Sequence, residues 1–313
     1  MHPVLVIAGP TASGKSALAL AAAREFDGVV INADSMQVYR ELRIVTARPS
    51  MEDEAAVPHR LYGILSAAER CSAGRWAALA ADEARTAWAA RRLPIVVGGT
   101  GFYLKALLEG LNEIPEVPAE VRAEATALRN DAGAEAFHAQ LAGIDPAAAA
   151  RIALADRQRA TRAYEVWLAT GRSLTDWQAE PALPPLPEAT FEVVVVDPAR
   201  ETLNAACNAR LDVMMAAGAL DEVRALAALQ LDAGLPAMKA LCVPELLRHL
   251  AGELSYEEAV VAAKRATRQF AKRQGTWFRT QLRTGLRLNE QFSESILLEI
   301  FSKIRKSLLT TQK

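Results

Sequence analysis

The sequence from residue 9 to residue 16 is Gly9-Pro10-Thr11-Ala12-Ser13-Gly14-Lys15-Ser16, which matches the phosphate-loop pattern G-x-x-x-x-G-K-[ST] at every fixed position. The apolar run 4–8 before it predicts a buried strand, and the Ala- and Leu-rich run 17–26 after it predicts a helix. In this setting backbone N–H groups converge on an anion, Lys15 adds a positive charge, and the Ser16 hydroxyl can ligate Mg²⁺. The stretch therefore predicts a site for phosphate groups without saying which molecule carries them.

Composition indicates an ordinary globular protein with room for one large domain or two smaller ones. The 313 residues are 51% hydrophobic and 23% charged, with a net charge of −1, so any affinity for nucleic acid must come from a local patch. No apolar run approaches the roughly 18 to 20 residues of a membrane span, and the N-terminus lacks the features of a signal peptide. We therefore expect a cytoplasmic protein with no membrane partner. The cysteines are far apart and suggest neither a disulfide framework nor a zinc site; they are Cys71, Cys207 and Cys242.

Asp34 closes the second apolar run, residues 29–35. Ligands of open parallel α/β sheets lie beyond the carboxyl ends of the strands, so we expect Asp34 at the same edge as the phosphate loop. Asp34 is thus a candidate base. A helix N-cap is an equally open interpretation, because Asp and Ser both suit that position.

The third apolar run, residues 93–97, leads into the glycine turn Gly98-Gly99-Thr100-Gly101-Phe102-Tyr103. A nucleotide-hydrolysing enzyme with a phosphate loop is expected to end such a strand in a metal-binding aspartate. The N-K-x-D signature of a GTPase is also missing from the sequence. The chain therefore has the phosphate loop without the other motifs of nucleotide hydrolysis.

Prolines mark a change of character between residues 114 and 187, where Ala-rich stretches with helical spacing replace strand-like runs. Residues 191–196 then return to an apolar, β-branched pattern, and the sequence after them is interpreted as helical. We predict an α/β fold with a parallel sheet flanked by helices, of the phosphate-loop NTPase type, and an inserted all-helical domain. The predicted parts are a first core segment 1–113, the insertion 114–190, a core completion with basic helices 191–288, and an amphipathic tail 289–313.

Residues 264–279 carry six positive charges and no acidic residue. A spacing of four places Lys264, Arg268 and Lys272 on one helical face, with aromatic residues interleaved. Such a stripe suits a phosphodiester backbone. A solvated outer face whose aromatic neighbours make core contacts is the alternative. In the tail, Ile296, Ile300 and Ile304 mark an amphipathic helix that either docks on the core or engages a partner.

Taken together, these motifs resemble the bacterial tRNA dimethylallyltransferases, also called tRNA isopentenyltransferases, over roughly residues 3–285. The resemblance rests on seven motifs in the same order: the phosphate loop, 34–39, 46–50, 58–59, 98–103, Asp156 with Arg159, and 267–279. It implies transfer of a dimethylallyl group from its pyrophosphate to the exocyclic amine of the adenosine 3′-adjacent to the anticodon. The tRNAs implied are those that read codons beginning with U.

The resemblance also implies roles for individual residues. The phosphate loop would hold the pyrophosphate leaving group, Asp34 would be the base, and Thr100 would contact the tRNA near the reacting amine. Arg210, on a predicted part-buried helix, and Mg²⁺ bound to Ser16 would disperse the charge that develops on pyrophosphate. The adenosine would be flipped into a channel between core and insertion. The implied partners are the anticodon stem-loop of tRNA and dimethylallyl pyrophosphate, and the implied state is a monomer.

The resemblance assigns tRNA contacts to both the core and the insertion. The residues are Asp34, Ser35, Met36, Gln37, Thr100, Arg122, Gln158, Arg159, Ala160, Thr161, Arg162, Lys239, Lys264, Arg268 and Lys272, with Arg157 beside them. The chain departs from the family at Val45, where Gly is usual, at Arg48, where Lys is usual, and in the segment 239–244, which lacks the Gly-Tyr-Arg or Gly-Tyr-Lys core of many members. The last departure concerns RNA placement more than chemistry.

Two other functions fit parts of the sequence. A small-molecule kinase that uses ATP would explain the phosphate loop, but neither adenine contacts nor a basic lid are evident. An RNA-binding protein with a vestigial phosphate loop predicts that Lys15→Ala leaves RNA affinity intact. Neither explains Asp34 and Thr100 together.

Overall fold

The computed structural model describes residues 1–283, 285–291 and 297–310. Two compact units make up the chain: one comprises Met1–Leu108 together with the chain from Pro185 onward, and the other is Glu109–Pro184. The second unit corresponds to the predicted insertion 114–190, but it begins and ends about five residues earlier.

The helices and strands follow in chain order. The first part of the larger unit contains β1 (His2–Ala8), α1 (Lys15–Glu25), β2 (Gly28–Asn32), α2 (Met51–Ala56), β3 (His59–Arg60), α3 (Ala73–Ala89), β4 (Leu93–Gly98) and α4 (Gly101–Glu109). The smaller unit contains α5 (Ala119–Ile144), which is interrupted at Gly133, then α6 (Pro146–Arg151), α7 (Arg157–Thr170) and α8 (Leu174–Gln178). The chain then continues with β5 (Ala189–Val196), α9 (Arg200–Ala216), α10 (Ala219–Ala228), a 3₁₀ turn (Ala237–Lys239), α11 (Val243–Leu250), α12 (Tyr256–Gln281), β6 (Leu286–Leu288) and α13 (Leu297–Thr310).

The larger unit is built on a six-stranded sheet in the order β3-β2-β4-β1-β5-β6, in which every pair of neighbours is parallel. In the register of the central strands, Val6 lies opposite Val96 on one side and Val193 on the other. Helices cover both faces of such a sheet, which is why its inner strands read as continuous apolar runs. The predicted parallel α/β fold is confirmed. The carboxyl ends of β1, β2, β4 and β5 therefore lie at one edge.

Two short strands were not predicted. The expectation that everything after residue 196 is helical is wrong at β6, which pairs with β5 through Val195 and Arg287. The two-residue β3 extends the other side of the sheet beside β2. Segments of two or three residues are too short to show a strand periodicity, so only the sheet they join reveals them.

The predicted tail helix docks on the core of the larger unit. Ile300 and Ile304 of α13 are 2% and 1% exposed and belong to the same buried cluster as strands β1, β4 and β5. The Phe301 ring meets Phe26, the residue after α1, edge-on, with 5.3 Å between the ring centroids. Docking is thus the correct one of the two alternatives, while Ile296 lies outside the described residues.

The smaller unit has its own core, as the prediction of an all-helical insertion requires. Its buried residues come from α5, α6 and α7: Phe137, Leu141, Ala148, Ala149, Ala160 and Ala163. Asp145 is 2% exposed, caps α6 through the Ala148 N–H at 2.9 Å, and accepts the Thr175 hydroxyl at 2.7 Å. In the part of the chain that the structure describes, no helix has the length and apolarity needed to cross a membrane.

Candidate active site at the carboxyl edge of the sheet

The phosphate loop joins β1 to α1 and leaves polar groups without partners inside the protein. Gly14 caps α1 with φ 90° and ψ 5°, a left-handed conformation that glycine adopts without steric cost. Lys15 is 8% exposed, and its ammonium donates to the Pro10 carbonyl at 3.2 Å. The Ser13 Oγ is buried and finds no hydrogen-bond partner among the described residues, while Ser16 is exposed at the head of the helix. An anion placed here would satisfy the orphaned hydroxyl and the helix N–H groups.

Two cations meet at this loop without a carboxylate to neutralise them. Burial, and after it the nearby Arg210, lowers the pKa of Lys15 to about 8, against the opposite influence of Asp34 and Cys207. Arg210 of α9 donates to the Thr11 hydroxyl at 2.9 Å and to the Thr46 carbonyl at 3.0 Å, and burial lowers its pKa as well. Neither cation forms an ion pair with any described residue. Positive charges held by neutral partners in a desolvated place favour an anionic ligand.

Asp34 follows β2 by two residues, at the predicted edge. No helix begins there, so the helix N-cap interpretation is wrong; its Oδ1 instead accepts the Met36 N–H at 2.9 Å, closing a local turn. The fully buried Asn32 fixes the Asp34 main chain from both sides, accepting its N–H at 2.8 Å and donating to its carbonyl at 3.0 Å. The second Asn32 amide hydrogen binds the Leu61 carbonyl at 3.1 Å. The carboxylate is thus held by its backbone and forms no ion pair with a described residue.

Thr100 is joined to the residue next to the candidate base. Its Oγ accepts the Ser35 N–H at 2.9 Å and donates to the Ser35 hydroxyl at 3.2 Å. The two strand ends touch through their backbones, since a Cβ on Gly98 would lie 2.1 Å from the Ala33 carbonyl oxygen. The structure therefore places Thr100 beside Ser35, the residue that follows Asp34, although the two motifs are far apart in the sequence.

Gln274 of α12 connects the phosphate loop to the glycine turn 98–103. It was not predicted as a site residue. It is 7% exposed; its Oε1 accepts the Thr11 N–H at 2.8 Å, and its Nε2 donates to the Gly99 carbonyl at 2.7 Å. The Trp277 ring, one turn further along, covers Gly101 so closely that a Cβ there would lie 2.3 Å from it. The sequence placed Gln274 only within a basic stripe, and contacts over 263 residues leave no local pattern.

The residues of the basic stripe make more contacts within the protein than the sequence suggested. Lys264 pairs with Asp212 at 2.6 Å, and Arg268 donates to the Asn208 side chain at 2.6 Å; both partners lie on α9. Lys272 is exposed. Two of the three stripe cations therefore hold α12 against α9, and the stripe is less basic toward solvent than its spacing indicates.

Asp197 directly follows β5, the strand next to β1, and sequence reasoning did not single it out. Its carboxylate pairs with Arg279 at 3.2 Å and with Arg287 at 2.9 Å. A free aspartate at this place would have been the expected metal ligand of a nucleotide-hydrolysing enzyme. Here two guanidinium groups form ion pairs with the Asp197 carboxylate. Asp197 therefore stabilises the fold around β6 instead.

The RNA-contact candidates of the smaller unit divide by exposure. Gln158 and Arg159 are exposed in the first turn of α7, and Arg162 is half-buried. Ala160 and Thr161 are 3% and 9% exposed, and Ala160 belongs to the buried cluster of that unit. The side chains of Ala160 and Thr161 are therefore largely hidden from solvent, while the tRNA contacts expected at these and the exposed residues stay predictions.

The remaining candidates occupy loops or helix surfaces. Gln37 donates to the Thr46 and Ala47 carbonyls at 2.9 and 3.1 Å, so its amide orders the loop after β2. Cys242, in the segment that departs from the family, has φ 73°, a conformation that favours glycine. Of the other three candidates, Met36 and Arg122 are half-buried and Lys239 is exposed.

Comparison with known proteins places this geometry in a family. The model of the IPP transferase family matches residues 37–281. The tRNA dimethylallyltransferase of Rhodospirillum rubrum is 58% identical over 98% of this chain and 96% of its own length, and that of Parvibaculum lavamentivorans is 53% identical over 96% and 95%. Coverage this high means that these alignments extend into the tail 289–313, beyond the expected limit of the resemblance.

Solved structures agree. The full-length tRNA isopentenylpyrophosphate transferase of Bacillus halodurans superposes with a TM-score of 0.71 at 30% identity, covering 100% of this chain and 98% of that one. A eukaryotic dimethylallyltransferase, whose crystallographic snapshots concern its action on tRNA, gives a TM-score of 0.73 at 25% identity over 89% and 70% of the two chains. The chain therefore belongs to the IPP transferase family, that of the tRNA dimethylallyltransferases.

Proposed function

We propose that this protein transfers a dimethylallyl group from dimethylallyl pyrophosphate to N6 of the adenosine 3′-adjacent to the anticodon, in tRNAs that read codons beginning with U. In this reaction the amine nitrogen bonds to C1 of the dimethylallyl group, the bond from C1 to the pyrophosphate oxygen breaks, and the N–H proton leaves the nitrogen. Pyrophosphate departs with the electron pair of the broken bond. Phosphorus is not attacked, so the phosphate loop serves as a leaving-group site.

The observation that carries the proposal is the pair of cations at the phosphate loop. Lys15 and Arg210 have only neutral hydrogen-bond partners among the described residues, and the buried Ser13 hydroxyl has none. A pyrophosphate leaving group gains negative charge on the oxygen that was bonded to C1 as that bond breaks, and preorganised donors stabilise this charge most in a desolvated site. Arg210 and Lys15 are therefore assigned to the leaving group.

We assign Asp34 as the base that accepts the proton of the adenine amine. Adenine's exocyclic nitrogen is a weak nucleophile because its lone pair is delocalised into the ring, so a base must accept its proton as the new bond forms. Asp34 lies within electrostatic range of both Lys15 and Arg210, yet pairs with neither. Its carboxylate is thus available to the amine, and the bond between Ser35 and Thr100 orders the backbone beside it.

The donors present fit Mg²⁺ in the manner of a phosphate-bound ion. The described residues contain no cluster of three or more His, Cys, Asp or Glu side chains that could cage a metal. Mg²⁺ commonly keeps several waters and takes one or two protein oxygens together with substrate phosphates, and the exposed Ser16 hydroxyl at the head of α1 is such a donor. When bound, the ion would neutralise charge on the pyrophosphate.

Recognition of tRNA is assigned to groups of the larger unit beside Asp34 and to the exposed residues of α7. Gln158 and Arg159 are exposed, and the flanking Arg157 donates to the Asn130 side chain at 2.6 Å. The adenosine must leave the base stack before its amine can reach a side chain. We propose that the protein acts as a monomer.

The test is mass spectrometry of nucleosides from unmodified tRNA incubated with the purified protein, Mg²⁺ and dimethylallyl pyrophosphate. A dimethylallyl mass increment on adenosine is expected with the wild type. It should fall by about 10²- to 10⁴-fold in rate with Asp34→Ala, whose tRNA affinity should be preserved. Asp27→Asn is the matched control, since that carboxylate is exposed and pairs with Arg92 at 3.3 Å. No increment beside an active relative, together with turnover of ATP, would replace this proposal with a kinase.

A further inference from the structure

The Glu222 carboxylate of α10 holds the loop whose Thr46 carbonyl accepts a hydrogen bond from Arg210. Glu222 accepts three consecutive backbone N–H groups: Arg43 at 2.9 Å, Ile44 at 2.6 Å and Val45 at 3.0 Å. These residues lie about 178 positions before it in the sequence. Three convergent N–H groups form an anion-binding concavity, and here the anion is a side chain of the same protein.

The loop has the form of one isolated helical turn, which explains why its N–H groups need an outside acceptor. The Ala47 N–H binds the Ile44 carbonyl at 2.9 Å, and the Thr46 hydroxyl binds the Leu42 carbonyl at 2.5 Å. The first N–H groups of such a turn have no partner within it. Glu222 supplies both the hydrogen bonds and the negative charge that favour this end of the turn.

The other end of the turn faces the active site. The Thr46 carbonyl accepts Arg210 at 3.0 Å and Gln37 at 2.9 Å, and Arg210 also binds the Thr11 hydroxyl of the phosphate loop at 2.9 Å. The position of this carbonyl therefore sets one of the two hydrogen bonds that orient the Arg210 guanidinium. Any shift of the turn would move that group relative to the leaving-group site.

We propose that Glu222 is a positioning residue for pyrophosphate binding: by capping the turn 43–47 it fixes the Thr46 carbonyl, and through it Arg210. The inference rests on the proposed function, because it takes Arg210 as a ligand of the pyrophosphate group. Glu222 acts through the loop and does not itself touch the substrate.

The test measures binding of inorganic pyrophosphate with Mg²⁺ by titration calorimetry. In Glu222→Gln the amide oxygen can still accept, but the amide NH₂ opposes the third N–H donor. Affinity is expected to fall about tenfold in the wild-type background. In the Arg210→Ala background the same change should add less than about twofold, because the group it positions is gone. A loss confined to stability would appear equally in both backgrounds.

Asp221→Asn is the matched control on the same helix, since its side chain is 79% exposed and its ion-pair partner is Arg224. It should leave pyrophosphate affinity unchanged. Equal affinities for Glu222→Gln and wild type, or an equal loss in both backgrounds, would overturn the inference. If Glu222→Gln does not fold, Glu222→Asp replaces it; the shorter carboxylate cannot reach all three donors, and a loss of about threefold is expected only where Arg210 is present. Binding of pyrophosphate does not require transfer, so an inactive wild type that binds it would refute the proposed function alone.

Discussion

Raising the pH should weaken the leaving-group site in a defined way, because one of its two cations titrates at accessible pH. Burial, aided by Arg210, brings the pKa of Lys15 down to about 8 from its ordinary 10.5, against the opposing influence of Asp34 and Cys207. Arg210 stays charged throughout this range. A bound pyrophosphate places negative charge beside Lys15 and restores the proton, so binding above pH 8 must take up a proton.

The size of the effect follows from the charged fraction of Lys15. With a pKa of about 8, that fraction is about 0.9 at pH 7 and about 0.03 at pH 9.5. The dissociation constant of dimethylallyl pyrophosphate should therefore rise about 30-fold over this interval. This ester is the ligand to use, because a phosphate ester with a second pKa of about 6 is already ionised across the interval, whereas inorganic pyrophosphate loses a further proton within it.

Calorimetry in two buffers of different ionisation enthalpy provides the assay, because it counts the protons bound with the ligand. At pH 9 the wild type should take up about 0.9 proton per dimethylallyl pyrophosphate bound, and at pH 7 about 0.1. Lys15→Arg should bind without proton uptake, because guanidinium does not titrate here. A flat affinity between pH 7 and 9.5, or the same slope in Lys15→Met, would refute the reasoning.

Stability should change in the opposite direction over the same pH range. Between pH 8 and 10.5 the unfolded chain holds a proton on Lys15 that the folded chain lacks. The free energy of unfolding should therefore rise with pH, by up to about 1.4 kcal/mol per unit, relative to Lys15→Met. Weaker binding together with greater stability separates the titration of Lys15 from general alkaline unfolding.

Three further substitutions test other contacts. Thr11→Val removes the hydroxyl that accepts Arg210 and should raise the KM for dimethylallyl pyrophosphate about tenfold in steady-state kinetics, whereas Thr11→Ser should restore it. Gly98→Ala forces a Cβ against a backbone carbonyl at 2.1 Å and should cost at least about 2 kcal/mol in urea unfolding; an unchanged midpoint would mean that the strand ends separate freely. Ile304→Ala should cost about 2 to 5 kcal/mol, while Leu298→Ala on the same helix, 86% exposed, should stay within about 0.5; equal values would contradict the docking of α13.

Features that depend on neighbouring residues could be predicted from the sequence. The phosphate loop, its flanking strand and helix, and the position of Asp34 at a strand end all follow from contiguous patterns. The spacing of Ile300 and Ile304 gave the buried face of α13 before its partner surface was known. Such signals arise because helix and strand periods repeat within a few residues.

Contacts between distant segments could not be predicted, since nothing local distinguishes the residues that make them. Gln274 stands among basic residues that suggested RNA, and Glu222 sits on a helix where any exposed acid would look the same. The stripe was overestimated for the same reason: the side chains of Asp212 and Asn208 that hold Lys264 and Arg268 come from another helix. Charge spacing predicts a face, but the fold decides what that face meets.

These distant contacts show that the sheet and the helices after β5 contribute differently to the larger unit. The sheet supplies the loops at its carboxyl edge, and each loop is then fixed by a side chain from α9, α10 or α12: Arg210 joins Thr11 to Thr46, Glu222 caps the turn before Thr46, and Gln274 joins Thr11 to Gly99. Loops held only by their own backbone would sample many arrangements, and preorganised donors lose their advantage when they must be ordered during the reaction. Under the proposed function, substitutions in the helices after β5 that never touch substrate should therefore change turnover as well as stability.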